Sequence, residues 1–307
     1  MSLARTFSIG SLTCHLLDGG SQRLDGGAMF GVVPKPLWQR RIPPDERNRI
    51  PLALRCLLIE HDVGPILVDT GIGNKERPKF MDIYGVENAG QTGPTQLEDA
   101  LAAAGFAPSD ITYVINTHLH FDHAGGNTCL QSSPTVSDRP GPSGGQKGQE
   151  GPRLAFPNAT YIVQERELAF GFNTNQRTAA SYLPPNYQPI AEADRWRLVQ
   201  GETEVLPGIR VLPTPGHVPY HQSVLIQSGG ESACYLGDLV PTTAHVPLPW
   251  IMGYDLEPLV TLETKRQVLE RAAAEGWLLV FEHDPVHAVG HAVRDRKSFA
   301  YQPLDTP

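Results

Sequence analysis

Thr117-His118-Leu119-His120-Phe121-Asp122-His123 is the stretch whose reading decides the fold. It follows an apolar, β-branched run over residues 112–117 that predicts a strand. Alternation along an extended chain aims His118 and His120 to one side, and a turn starting at Phe121 returns Asp122 and His123 toward them. Four ligand-type side chains then meet within six residues. Imidazole nitrogen and carboxylate oxygen suit zinc and its neighbours in the first transition row. Solvated or core histidines are the bland alternative, and H-x-H-x-D-H is too dense a pattern for them.

Later strand ends supply further candidates. His217 closes Pro213-Thr214-Pro215-Gly216-His217, Asp238 closes Cys234-Tyr235-Leu236-Gly237-Asp238, and His283 follows Leu279-Val280-Phe281-Glu282. Any one of them alone reads as a capping or core residue. Together with the first cluster they are the extra ligands that a two-ion site requires.

Around these motifs, short β-rich runs recur at 55–60, 66–69, 112–117, 160–164, 210–213, 222–227, 233–236 and 278–282. Ala-, Leu- and Glu-rich stretches at 96–104 and 261–275 predict helices stopped by Gly105 and Gly276. The strands come in two batches, so the expected class is α+β, with two sheets packed face to face and helices outside. One domain over 1–307 is expected. Residues 131–152 are rich in Gly, Pro, Ser and Gln and too poor in apolar side chains to offset the entropy of ordering, so a flexible surface insertion is expected there. Residues 24–41 set Met29, Phe30, Leu37 and Trp38 among glycines and prolines, which predicts a pocket wall, a homodimer contact or ordinary packing.

Composition narrows the function classes. A net charge of −8 with no basic run argues against nucleic acid. No apolar run approaches the roughly 20 residues of a membrane span, and the opening Met1-Ser2-Leu3-Ala4-Arg5 lacks the pattern of a secretory leader. Cys14, Cys56, Cys129 and Cys234 are scattered without a C-x-x-C, as free thiols in a reducing cytoplasm are. Cys129, six residues past His123, reads as a small buried side chain before it reads as a ligand or reactive thiol.

With these residues in place, the chain resembles the metallo-β-lactamase superfamily over nearly its whole length, which implies that superfamily's αββα sandwich. The resemblance implies one metal on His118, His120 and His217, a second on Asp122, His123 and His283, and Asp238 bridging both. Asp69, in Ile66-Leu67-Val68-Asp69-Thr70-Gly71, matches the superfamily's acidic residue that orients a ligand. The run from Leu24 to Trp38, and Gly237-Asp238-Leu239-Val240-Pro241-Thr242 continuing through His245 to Trp250, is similar to YtnP-type quorum-quenching lactonases, near the N-acyl-homoserine lactonases.

That implies two divalent ions, zinc by default with Mn, Co or Fe as alternatives, and a shared hydroxide that opens a lactone or related small-molecule ester. On that resemblance Asp238 would bridge the ions, and Asp122 is the candidate proton carrier to the leaving oxygen. The N-acyl-homoserine lactonases place a tyrosine three residues after the bridging aspartate, and here that position is Pro241. His245, Tyr220 and His221 are the candidates for the missing donor. A cysteine in place of Asp238 would mark the commonest class B β-lactamases, and a glutamate in place of His120 the diiron relatives. Glyoxalase II shares the ligands but adds a helical C-terminal region. Organophosphate and thioester hydrolysis on the same fold remain enzymatic alternatives, and a metal-stabilised binding protein is the non-enzymatic one.

Overall fold

The computed structural model describes residues 2–130 and 151–304. The expected insertion at 131–152 lies, but for its last two residues, outside them. Two seven-stranded mixed sheets form the centre. The first runs Ala4–Ile9, Leu12–Asp25, Arg49–Glu60, Ile66–Val68, Tyr113–Ile115, Thr160–Gln164 and Trp196–Val199 across its width. The second runs Thr203–Leu206, Ile209–Pro213, Gln222–Ser228, Glu231–Tyr235, Leu278–Val280, Val289–Asp295 and Ser298–Gln302.

Side-chain alternation builds the layers. Cys14, Leu16, Leu57, Ile59, Ile66, Val68, Ile115 and Ile162 of the first sheet pack against Val211, Val224, Ile226, Ala233, Tyr235 and Val280 of the second. Their sequence neighbours Leu17, Cys56, Leu58, Leu67, Val114 and Tyr161 face the other way, onto Leu97, Ala100 and Leu101 of the helix Gln96–Ala103. On the far side Leu225, Cys234 and Leu279 meet Leu269 and Ala272 of the helix Pro258–Glu275. The result is the expected αββα sandwich. Local chemistry sets the helix ends: Thr95 N donates to Glu98 Oε2 at 2.7 Å to open the first helix, and the second begins with a proline and stops at Gly276, whose φ is 70°.

The eight expected strands all form, with shifted ends. The strand expected over 112–117 stops at Ile115, because Thr117 N donates to Asp69 Oδ1 at 2.8 Å instead of continuing the ladder. Six further strands of these two sheets carry no clear signal in the sequence. Among them, Leu12–Asp25 carries Asp18-Gly19-Gly20 at its centre, which hides its alternation.

The 24–41 stretch holds two short helices, Gly26–Phe30 and Lys35–Trp38. Met29, Phe30 and Trp38 are buried against Ile42, Ile50, Leu52, Ala244 and Met252 of the same chain. Ordinary packing therefore takes most of its apolar surface, and Phe30 and Trp38 are not available to a second subunit. Val32 and Leu37 are its large apolar side chains left exposed. No helix among the described residues is long and apolar enough to cross a membrane.

Parallel pairing places the site. Ile66–Val68 and Tyr113–Ile115 are parallel neighbours in one sheet, as are Glu231–Tyr235 and Leu278–Val280 in the other. Asp69, the His118–His123 segment, Asp238 and His283 therefore all leave the sandwich at one end.

Candidate metal centre

Phe121–Ala124 forms one helical turn directly after His120, the reversal expected to bring Asp122 and His123 back. His118, His120, His217 and Asp238 offer ligand atoms within 4.8 Å of one another, and so do Asp122, His123 and His283. His217 Nε2 lies 3.1 Å from His120 Nδ1 and 3.1 Å from Asp238 Oδ2. His283 Nε2 lies 3.2 Å from His123 Nε2 and 3.2 Å from Asp238 Oδ1. The two oxygens of Asp238 thus address the two groups.

Hydrogen bonds behind the rings fix their tautomers. Thr117 Oγ1 donates to Asp69 Oδ2 at 2.7 Å, so it accepts from His118 Nδ1 at 3.0 Å. His123 Nδ1 donates to Asp69 Oδ2 at 3.0 Å, His217 Nδ1 to Asp255 Oδ1 at 3.0 Å, and His283 Nδ1 to the Ala53 carbonyl at 2.8 Å. With Nδ1 so engaged, Nε2 is the ring nitrogen that faces the centre and would offer its lone pair to a cation. His118 Nε2 and Asp238 Oδ1 are buried there with no hydrogen-bond partner.

Such a crowd of lone pairs fits a cation. Ligand atoms about 2.0–2.1 Å from one ion sit about 3.3 Å apart at a tetrahedral angle, close to the spacings seen here. Burial and the neighbouring imidazoles hold His118 and His120 well below the ordinary histidine pKa. Burial also works against protonation of His123, but Glu282, Asp238 and Asp122 outweigh it and raise that ring. Burial would raise Asp238; His217, His123 and His283 hold it well below the usual carboxylate range.

Asp69, His123 and Glu282 make a third acidic group. Glu282 Oε2 lies 3.0 Å from His123 Nδ1, the nitrogen already given to Asp69, so this group backs the His123 ring and is not a separate site.

The centre floors a cavity of about 390 Å3. Leu24, Met29, Leu52, Met252 and Leu256 make its apolar wall, and Arg177, Thr178, Ser181, Tyr84 and Tyr254 its polar rim. The stretch read as a pocket wall contributes Leu24, Ala28 and Met29.

The three candidates for the missing donor lie outside the cavity lining. His245 is buried, stacked on Phe30, with Nε2 against Met29 O at 2.8 Å and Nδ1 against Thr242 Oγ1 at 2.7 Å, which leaves no nitrogen for a substrate. Tyr220 lines a different hollow. His221 buttresses the centre, its Nε2 accepting from Asp238 N at 3.1 Å and its Nδ1 meeting Thr214 Oγ1 at 2.7 Å. Cys129 is half-buried in a two-stranded ribbon with Arg153–Leu154 and belongs to none of the ligand groups found among the described residues.

Asp255, Glu282 and Gln22 were missed. Gln22 Nε2 donates to Asp122 Oδ2 at 2.5 Å. Asp255 and Gln22 sit in no motif; Glu282, a charge between Phe281 and His283, was the one with a visible signal.

Known proteins are similar to this chain over most of its length. An N-acyl homoserine lactonase of a Bacillus species is 32% identical over 242 residues, 76% of this chain and 82% of that protein. One from Bacillus thuringiensis is 30% identical over the same shares. A probable metal-dependent hydrolase from Staphylococcus aureus superposes with a TM-score of 0.82 at 30% identity, covering 98% of this chain and 100% of its own. The dizinc quorum-quenching lactonase AidC shares the fold, with a TM-score of 0.77 at 20% identity and full coverage of both chains. The profile described as Metallo-beta-lactamase superfamily matches residues 50–283, which span every ligand candidate from His118 to His283, and the chain belongs to that superfamily.

Proposed function

We propose that the chain is a dinuclear metal-dependent hydrolase that opens lactone rings of the N-acyl-homoserine lactone class. The observation that carries the reading is Asp238, whose two oxygens reach both ligand groups at the floor of an apolar-walled cavity. His118, His120 and His217 would hold one ion with it, and Asp122, His123 and His283 the other. When bound, a pair of divalent ions such as zinc lowers the pKa of a shared water and draws charge from a carbonyl or a departing alkoxide.

The chain's own residues do the rest. Asp69, Asp255 and the Ala53 carbonyl keep the rings in the ligand tautomer. The walls built from Leu24, Met29, Met252 and Leu256 exclude water around an acyl chain. Asp122 stands on the floor, where it would pass a proton to the ring oxygen as the acyl C–O bond breaks. Pro241 has no hydroxyl, so the donor to the substrate falls to the cavity-lining hydroxyls of Tyr254, Tyr84 and Ser181. The names of the relatives support the lactone class.

Water adds across the acyl C–O bond to give a hydroxy acid, and each turnover releases one proton at neutral pH. Titration at constant pH over lactones of graded acyl length, beside thioesters and phosphotriesters, therefore tests the reading. Acid release on lactones, lost with chelator and restored by zinc, is the expected result. Two bound metals with no turnover on any panel member would leave a binding protein. Preference for phosphotriesters would replace the substrate class.

A further inference from the structure

We infer that Gln22 is a positioning residue for the metal group formed by Asp122, His123 and His283, aimed there by a bulge at Asp18–Ser21. The inference rests on the two-metal reading above.

Gln22 is fully buried. Its Nε2 donates to Asp122 Oδ2, and its Oε1 is enclosed without a hydrogen-bond partner. Burying an unpaired amide oxygen costs stability that an apolar side chain of the same size would not. The side chain's other end explains its presence, because it makes the one hydrogen bond found on the Asp122 carboxylate among the described residues. A neutral donor pins that carboxylate without competing for the charge that a cation needs. Asp122 lies 3.9 Å from His123 Nε2 through Oδ1 and 3.8 Å from His283 Nε2 through Oδ2, so its torsion decides whether the three ligand atoms face one point.

Strand register shows how Gln22 comes to face Asp122. On Leu12–Asp25, Cys14 and Leu16 point into the core between the sheets, and strict alternation would send residue 22 the same way. Asp18 lies opposite Arg55, but Ser21 lies opposite Ala53, so this strand advances three residues while its partner advances two. One extra residue flips the face of everything that follows. Gln22 pairs instead with Leu52, whose side chain lines the cavity.

Only glycines fit the bulge. A Cβ on Gly19 would stand 2.5 Å from Leu54 O, and one on Gly20, whose φ is 102°, 2.4 Å from Glu87 O. Asp18 Oδ1 accepts from Gly20 N at 3.0 Å and holds the kink.

The two ligand groups respond differently, because Gln22 contacts only one of them. Zinc or cobalt(II) titrated into metal-free Gln22→Met should show the first equivalent bound as in wild type. The second should weaken about 10- to 100-fold, with its share of the cobalt absorption lost at subsaturating metal. Gln22→Leu, smaller and equally without a donor, repeats the measurement if the methionine variant does not fold. Thermal unfolding of the metal-free variants separates this effect from a general loss of structure. Two equivalents bound as in wild type by a folded variant, or both weakened alike, overturn the role of Gln22 and leave the two-metal reading intact. Fewer than two equivalents in wild type overturn both.

Discussion

Asp255 Oδ1 accepts the Nδ1 proton of His217 across 3.0 Å, and both side chains are buried. The same loop is tied back on either side: Leu256 N donates to His217 O at 3.0 Å, and Gly253 N to Ala28 O at 2.8 Å. Arg177 Nη2 donates to Gly253 O at 3.2 Å. One short segment therefore orients the His217 ring and ties together Ala28, Arg177 and His217 around the cavity.

Asp255→Asn should loosen the His217 ring and lower metal affinity about 10- to 100-fold, the usual cost of losing a carboxylate behind a ligating histidine. Competition against a chelator of known affinity measures it. Retention of wild-type affinity would show that packing alone orients the ring.

Glu167 Oε1 accepts from Leu119 N at 3.0 Å and from Tyr182 Oη at 2.8 Å, fastening the segment between His118 and His120. Burial pushes its carboxyl up to about 7 from an ordinary 4.5. Between those values the folded chain binds the proton that the unfolded chain has lost, so this group's contribution to stability falls as pH rises through that window. Above about 7 it levels off. Glu167→Gln keeps an acceptor for both bonds and removes the ionisation. In metal-free protein the variant should gain on wild type from pH 5 to pH 8, by at most about 3 kcal/mol. Equal differences in unfolding free energy at the two pH values would contradict the assignment.

Gly237 takes a φ of 53°, and a Cβ there would stand 2.7 Å from His221 Nε2 and 3.0 Å from Thr117 Cγ2. Gly237→Ala should cost about 1–2 kcal/mol for the left-handed backbone alone. It should also displace Asp238, whose N–H donates to His221. Calorimetry with metal analysis should find metal loss out of proportion to the drop in Tm.

Ala28 lines the cavity beside Met29 and Met252. Ala28→Phe adds volume to the apolar wall without touching the ligands, so long-chain lactones should lose kcat/KM by about tenfold more than short-chain ones, the scale of one or two methylenes in a pocket. A uniform loss across chain lengths would place the acyl chain against another wall.

The sandwich was legible where burial is one-sided or complete. Runs such as 222–227 and 278–282 carry enough β-rich apolar sequence to declare themselves. The half-exposed and kinked strands do not: Val289–Asp295 ends in three exposed residues, and Leu12–Asp25 is broken by its glycines. The candidate ligands were legible because six residues hold four of them, and because His217, Asp238 and His283 each follow an apolar strand. His245 looked like a donor by proximity along the chain, yet its ring is spent on Met29 and Thr242.

Residue type and local spacing by themselves pointed to the kind of chemistry, since four ligand-type side chains within six residues, with further histidines and an aspartate past later strands, form a pattern that single capping or core residues do not. Tertiary structure alone decided which groups stand behind them. Gln22 lies 100 positions from Asp122, and Asp255 lies 38 from His217. A hydrogen bond closed over such distances leaves no periodicity in the chain; it arises only when the packing of two sheets and a single bulge sets which way a side chain points.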